Sequence, residues 1–355
     1  MACHIAARWE TFAINMGATL KDIAREAGVN LSTASRSLSG AYGVHPHTRE
    51  HVLGIARRLN YRPNRVARGL VTGRSHTLAV VVSDIRNPFF AEVARGAEDA
   101  AYASDCDLVL CNSDLDTAKQ VRYIDSLLAK RVDGILMNSV SALTSAQQDQ
   151  LANCGVPVIL LNRSSSQKRF STILADNTEG GVLAAKHLIS LGHRRLMHLT
   201  GPSQHGNFMD RMKGFLKVTQ NAGLPDPIVV RGQHTFSGGY EMAKKALAKN
   251  RTATAVFAAN DVIAFGCIRA ALESGIRIPH ELSIIGFDNI EMSQITCPPL
   301  TTIHHPKYEI GKSAVEMLLK MAAGEGYEPE HRVIGVRLVQ RQSCRDIRPA
   351  DMLHA

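Results

Sequence analysis

The stretch ATLKDIAREAGVNLSTASRSLSGAYGVHPHTREHVLGIARRLNYRPNRVARGLVTG, residues 18–73, decides how the chain begins to fold. Thr19 is placed to cap a helix, with Asp22 in its opening turn to complement the helix dipole. Leu20, Ile23, Ala24 and Ala27 recur at i, i+3, i+4 and i+7 and lay out one apolar face. Gly28, just past that face, supplies the left-handed residue at which a helix stops. Asn30 caps a second helix, Leu31 to Leu38, with Ala34 and Leu38 inward and Ser32, Ser35, Arg36 and Ser39 on an outer polar face. Leu31 fits either side. A third helix follows Pro46 and Thr48, with Val52, Ile55, Ala56 and Leu59 along one side. This is the spacing of a helix-turn-helix, whose second helix enters the DNA major groove; an ordinary three-helix bundle has the same periodicity.

Charge separates the two readings. From Ala18 to His76 there are ten Lys or Arg against three Asp or Glu, so a net +7 of the chain's +9 falls in this segment. A surplus so localised points to a nucleic-acid face rather than to a generally basic protein. Beyond the third helix, Pro63 can start a short helix over Asn64 to Leu70. Gly69 and Gly73 weaken it, so alone it is expected to be mostly unfolded.

From Thr77 the pattern changes to short apolar runs alternating with amphipathic ones. TLAVVV, DLVLC, GILM and VPVILL read as strands, and PFFAEVARGAEDAAYAS and TAKQVRYIDSLLAK as helices. A second set follows. Its strands are LMHLT, IVV, AVFAA and SIIGF, and its helices GGVLAAKHLIS, DRMKGFLKVTQNAG, GGYEMAKKALAK and VIAFGCIRAALES. Continuous apolar strands between amphipathic helices predict parallel sheets covered on both faces. Two such sets predict two similar α/β lobes, each doubly wound.

Length and composition narrow the function. The 355 residues allow two or three domains, and 45% hydrophobic with 21% charged residues is ordinary globular composition. No run of 18 apolar residues occurs, so no transmembrane helix is expected. The opening MACHIAARWETFAINMG lacks the plan of a secretory signal. It reads as an extension, residues 1–17, or as a start placed upstream of Met16. The seven cysteines, at 3, 106, 111, 154, 267, 297 and 344, form no CxxC pair, which favours reduced thiols in a cytoplasmic protein over zinc or a disulfide framework. No GxxxxGK, GxSxG or HExxH is present, and Gly324-Glu-Gly326 has Pro329 where a third glycine belongs. No catalytic residue, metal ligand or cofactor is therefore expected.

Candidate ligand residues lie just past strands, where open α/β sheets bind ligands. Asn87-Pro88-Phe89-Phe90 follows the first strand: Asn87 suits a cap, Phe89 offers a ring face, and Phe90 suits the core. Asn260 and Asp288 follow AVFAA and SIIGF, and each is either a helix cap or a cleft residue. Arg211 heads the helix DRMKGFLK, where a plain surface charge is the alternative reading.

The segments TLKDIAREAGVNLSTASRSLSG and TREHVLGIARRLNYRPNRVARGL resemble the DNA-binding head and hinge of lactose-repressor-type (LacI/GalR) transcription regulators. The resemblance continues through NPFF (87–90), KRVDGILM (130–137), GHRR (192–195), DRMKGF (210–215), AANDVIAFG (258–266), IIGFDN (284–289) and PLTTIHHP (299–306). It thus runs from Ala18 to Arg341, several motifs in one order.

That resemblance implies a helix-turn-helix head over 18–62, a hinge over 63–76 and an effector domain over 77–345 of the type I periplasmic-binding-protein fold. One lobe would take 77–174 with 306–333, the other 175–305 with 334–345, and 346–355 would form a tail. Leu31, Ser32, Thr33 and Arg36 are then expected to reach DNA from the second helix. Asn64, Arg65, Ala67 and Leu70 would do so from the hinge, with Leu70 as a minor-groove wedge. Arg211 and Asp288 match the family's paired ligand contacts, and Asn260 its polar cleft position. His205 and Asn207 fall in a variable specificity loop, and His234 where members often have an aromatic residue. The implied partners are operator DNA, a small-molecule effector and a second copy in a homodimer, with no membrane. The mixed donors and acceptors favour a neutral sugar or polyol over a purine, nucleoside or sugar acid. Whether effector releases DNA or acts as a corepressor is not written in these residues. A small-molecule binding protein without a DNA role, or an α/β enzyme, are the readings that the basic head and the missing motifs disfavour.

Overall fold

The structure is a computed structural model and describes residues 18–62, 69, 73–138, 143–162, 169–203, 206–250, 252–324 and 328–349. The chain divides into two compact units, Met1–Ser75 and His76–Ala355.

Among its described residues the first unit holds a head of three helices: α1 (Leu20–Glu26), α2 (Leu31–Ser39) and α3 (Pro46–Arg58). Thr19 and Asp22 form a reciprocal capping box, in which each side chain answers the other residue's backbone N–H. Gly28 and Gly40 take φ of +63° and +72°, the left-handed geometry needed to leave α1 and α2. Asn30 caps α2 by accepting from Thr33 N at 2.7 Å. Helix α3 begins at Pro46 itself, ahead of Thr48, because proline's fixed φ suits a first helical position that needs no N–H. Ile23, Ala24, Ala34, Val52, Ile55 and Ala56 make the buried core, and Leu38 packs against it. The expected hinge helix over Asn64 to Leu70 lies outside the described residues, Gly69 excepted.

The second unit contains two six-stranded sheets. The first comprises β1 (Thr77–Val82), β2 (Asp107–Asn112), β3 (Gly134–Met137), β4 (Val158–Leu161), β5 (Ser171–Ala175) and β11 (His331–Ile334), in the order β11-β5-β4-β3-β1-β2 and parallel throughout. The second comprises β6 (Leu196–Thr200), β7 (Ile228–Arg231), β8 (Ala255–Ala258), β9 (Ser283–Asp288), β10 (Thr301–His304) and β12 (Arg337–Val339), in the order β12-β10-β9-β8-β6-β7. Only β12 runs antiparallel, against β10. Helices α4 (Pro88–Ala103), α5 (Thr117–Ala129), α6 (Ser145–Asn153) and α11 (Lys307–Ala322) belong to the first sheet. Helices α7 (Asn177–Ser190), α8 (Gly206–Asn221), α9 (Phe236–Lys249) and α10 (Asp261–Glu273) belong to the second.

The chain passes between the sheets from β5 to α7, from β10 to α11 and from β11 to β12. Strands β5, β10, β11 and β12 and helices α6 and α11 extend the elements read from apolar runs. Their apolar content is thinner: STILA, TTIH, HRVI and RLV mix polar residues into runs of three to five. Neighbouring strands, rather than their own pattern, complete them. Each sheet reverses its winding beside its first strand, where β1 lies between β2 and β3 and β6 lies between β7 and β8. Such switch points open a crevice at the carboxyl ends of the strands. Apolar packing joins the lobes: Ile290, Val262 and Phe265 of the second meet the core around Val80, Phe89 and Ile310 of the first.

Candidate effector cleft and candidate nucleic-acid face

On the head, α2 presents Leu31, Ser32 and Arg36 to solvent, with Thr33 half-buried beside them. Leu31 is 46% exposed, so of its two readings the outward one holds. Ser32 Oγ donates to Asn30 Oδ1 at 2.7 Å, which joins it to the cap at the start of the helix. Ala34 and Ser37 face inward, and Ser37 Oγ donates to Thr33 O. Asn64, Arg65, Ala67 and Leu70 lie outside the described residues.

In the second unit a cavity of about 60 Å³ is lined by Ser83, Asn87, Phe89, Phe90, Asn138, Asn162, Asn207, Phe208, Arg211, His234, Asn260, Asp288 and His305. Most of these sit within a few residues of the carboxyl end of a strand, on both lobes. Of the residues singled out from sequence, the cavity brings together Phe89, Asn207, Arg211, His234, Asn260 and Asp288; His205 lies outside the described residues. Asn260 is both things at once. It caps α10 by accepting from Ile263 N at 2.7 Å, and it also faces the cavity. Phe90, expected only in the core, reaches the lining while packing with Phe89 edge to face at 5.1 Å.

Arg211 is not at the head of its helix. Helix α8 starts at Gly206, because Phe208, Met212 and Phe215 continue one buried face upstream of Asp210. Nor is Arg211 a surface charge, being 2% exposed. Its Nε donates to Asn177 Oδ1 at 2.8 Å, one Nη donates to Ala259 O, and the other lies 3.7 Å from Asp288 Oδ1. The guanidinium also lies over the Phe287 ring, 3.6 Å from its centroid. Gly181 and Gly214 make this reach possible. A Cβ on either would come within 2.0 Å of a backbone oxygen of the facing helix, so their absence lets α7 and α8 close together. Burial pushes Arg211 down to about 10, which still leaves it charged at neutral pH.

Asp288 ends β9 with φ +110°, and Asn289 follows at +53°. Lys307 holds this turn, its Nζ donating to Asp288 O at 2.7 Å and Asn289 O at 2.9 Å. His305, missed by the sequence reading although it lies in the quoted PLTTIHHP, places Nδ1 3.1 Å from Asp288 Oδ1 and its ring 4.6 Å from that of Phe89. Burial pushes its pKa down to about 4. Its Nε2 has no hydrogen-bond partner. Burial also lowers the pKa of His234, whose carbonyl accepts from Asn260 Nδ2 at 3.5 Å. Behind the lining, Asp261 accepts from Thr302 Oγ1 at 2.6 Å and Ile290 N at 2.9 Å. Burial, and then the charge of Asp288, push it up to about 8. The lining thus sets the Arg211–Asp288 pair among amides, rings and imidazoles, with the Lys307 ammonium on the backbone beside it.

Ser83, Asn138, Asn162 and His305 carry the same signal as Phe89, Asn260 and Asp288, a place at the carboxyl end of a strand: each of the four lies immediately after a strand's last residue. No helix among the described residues is long and apolar enough to cross a membrane.

Residues 19–64 match the family model for bacterial regulatory proteins of the lacI family, and residues 185–344 match that for a periplasmic binding protein-like domain. Catabolite control protein A of Priestia megaterium is 35% identical over 93% of this chain and all of its own length. The transcriptional repressor PurR of Photobacterium profundum is 34% identical over 93% of this chain and 99% of its own. Among solved structures, the lac repressor dimer bound to operator and the anti-inducer ONPF superposes with a TM-score of 0.84 at 28% identity, over 92% of this chain and 99% of that one. A LacI family regulator from Enterococcus faecium with bound ribose gives 0.71 at 34% identity, over 77% of this chain and all of that one. With a helix-turn-helix head and two α/β lobes around a polar cleft, and with full-length relatives at this identity, the chain belongs to the lacI family of bacterial regulatory proteins and is a DNA-binding transcription regulator controlled by a small-molecule effector.

Proposed function

We propose that the chain is a cytoplasmic, non-catalytic repressor that binds its operator as a homodimer and whose effector is a neutral sugar or sugar-like polyol. The observation that carries the ligand class is the pairing of Arg211 with Asp288 inside a ring of neutral side chains. The guanidinium already spends donors on Asn177 and Ala259, and its charge is met by Asp288. A phosphorylated or acidic effector would add an anion to a site with no uncompensated cation in its lining. Amides, a carboxylate and imidazoles in several directions suit convergent hydroxyls, and Phe89 suits one flat contact. The ribose-bound relative supports this class; the PurR relative makes a purine the arm to test against it.

In this reading Ser32, Thr33 and Arg36, with Leu31 beside them, meet base edges. Asn64, Arg65, Ala67 and Leu70 act at the hinge, and Phe89, His205, Asn207, Arg211, His234, Asn260 and Asp288 hold effector. Residues 18–62, 63–76 and 77–345 take the head, hinge and effector roles. Effector and operator favour different lobe arrangements, so each changes the other's affinity by the same factor. The test is a thermal-shift panel of sugars, sugar acids, polyols, purines and nucleosides, followed by operator binding with each stabilising compound. Saturable stabilisation by a purine and by no carbohydrate rejects the ligand class; stabilisation without any change in DNA affinity rejects the regulatory linkage.

A further inference from the structure

We propose that His305 is a specificity-determining residue of the cleft, whose Nε2 is a fixed hydrogen-bond acceptor selecting an effector that presents a hydroxyl or N–H donor at that point. The inference rests on reading the cleft as the effector site, and it adds a residue and a polarity to that reading.

The polarity follows from Asp288. An ionised carboxylate only accepts, so the imidazole nitrogen facing it must carry the proton. His305 Nδ1 faces Asp288 Oδ1 at 3.1 Å, and a neutral ring then leaves a bare lone pair on Nε2. That nitrogen is buried and has no partner, while the residue lines the cavity and is 1% exposed. A buried acceptor left unmatched is unfavourable, and an incoming donor relieves it. The ring is also held in place. Phe89 lies against it with centroids 4.6 Å apart, and Phe287 meets it edge on at 5.6 Å. Reversing the ring would break the bond to Asp288.

Asn162, at the end of β4 on the opposite lobe, supplies a contrast. Its Oδ1 is likewise unmatched, but an amide can turn and offer N–H instead. His305 cannot reverse while Asp288 is ionised. A sugar hydroxyl donates to Nε2; a carboxylate or phosphate oxygen has no proton to give.

The first measurement needs no effector. Long-range ¹H–¹⁵N correlation spectra of full-length protein labelled at histidine, with His305 assigned by its loss in His305→Gln, should show Nδ1 protonated and Nε2 bare. A proton on Nε2 overturns the proposal. The second is a thermal-shift and calorimetric panel of D-ribose, D-glucose, D-galactose, D-galacturonate, adenine and inosine on wild type, His305→Gln and His305→Leu. Gln keeps an acceptor beside an amide that can face Asp288; Leu keeps bulk alone. For any probe that stabilises wild type, His305→Leu is expected to lose about tenfold or more in affinity and His305→Gln to retain most of it. Equal affinity of wild type and the leucine variant overturns the proposal. A purine that binds through His305 while no sugar binds keeps the acceptor and rejects the neutral-sugar reading, so the two fail separately.

Discussion

Arg211 and Asp288 meet across 3.7 Å with side chains 3% and 5% exposed, joining helix α8 to the end of strand β9 at the wall of the cleft. Removing one partner of a buried pair leaves the other uncompensated, which is far more damaging than never having built the pair. Asp288→Ala is expected to destabilise the effector domain by roughly 3–5 kcal/mol. It should also abolish stabilisation by any sugar that protects wild type. Urea unfolding with and without that sugar checks both; a loss under about 1 kcal/mol would mean Arg211 is held by Asn177 and Ala259 alone.

Arg36 stands free on the outer face of α2, near Leu31 and Ser32. A guanidinium there suits bidentate contact with guanine. Arg36→Ala is expected to lose roughly 1–3 kcal/mol per half-site and to relax one base preference. Because the side chain is exposed, folding stability should move by no more than about 0.5 kcal/mol. Selection from a randomised operator library, read beside a melting curve, separates the two effects. Unchanged base preference would remove Arg36 from the reading set.

His198 is wholly buried in β6, stacked on Phe257 with centroids 4.7 Å apart, its Nδ1 donating to Phe257 O at 2.9 Å. Burial pushes its pKa from 6.5 down to about 4. The unfolded chain therefore binds a proton at higher pH than the native state does. This stability is whole above pH 6.5 and drains away as pH falls toward about 4. At 1.36 kcal/mol per unit the drain is of order 3 kcal/mol. His198→Phe should flatten that acid limb in unfolding curves taken at intervals from pH 7 to 4. An unchanged slope would place the acid sensitivity in His193 and His305, whose pKa values burial also pushes down to about 4.

Asp261 works in the opposite sense. Its carboxyl is raised to about 8 from an unfolded value near 3.8, so the native state holds a proton that the unfolded chain releases. The associated stability is whole below pH 3.8 and is lost as pH climbs toward 8. Asp261→Asn keeps both contacts, with the amide N–H donating to Thr302 Oγ1 and its oxygen accepting from Ile290 N. The variant is expected to match wild type near pH 4 and to be more stable at pH 8. Measured melting temperatures that stay parallel between those pH values would show that Asp261 is ionised in the fold.

Much of the architecture was legible because it is local. The apolar face Leu20, Ile23, Ala24 and Ala27 and the caps Thr19 and Asn30 act within one or two turns. Apolar runs such as TLAVVV and SIIGF are buried along nearly their whole length, so their own composition declares them strands. Strand β10, TTIH, and helix α6, with Leu151 as its one buried residue, carry too little apolar signal of their own.

The cleft divides along the same line. Asn260 and Asp288 stood out because each is a polar residue ending an apolar run. The sequence by itself therefore determined the helix-turn-helix head, the alternating α/β pattern and the strand ends where a ligand can sit, since periodicity and chain order are one-dimensional properties. It also carried the family resemblance. Only the tertiary structure decided that Arg211 is buried against Phe287, that Asn260 both caps and lines, and that His305 lines the cavity with Nδ1 turned to Asp288 and Nε2 left without a partner. Those outcomes depend on α7 and α8 closing over Gly181 and Gly214 and on β10 lying beside β9. A charge's burial and an imidazole's tautomer are set by neighbours distant in sequence, and no local pattern records which neighbours those will be.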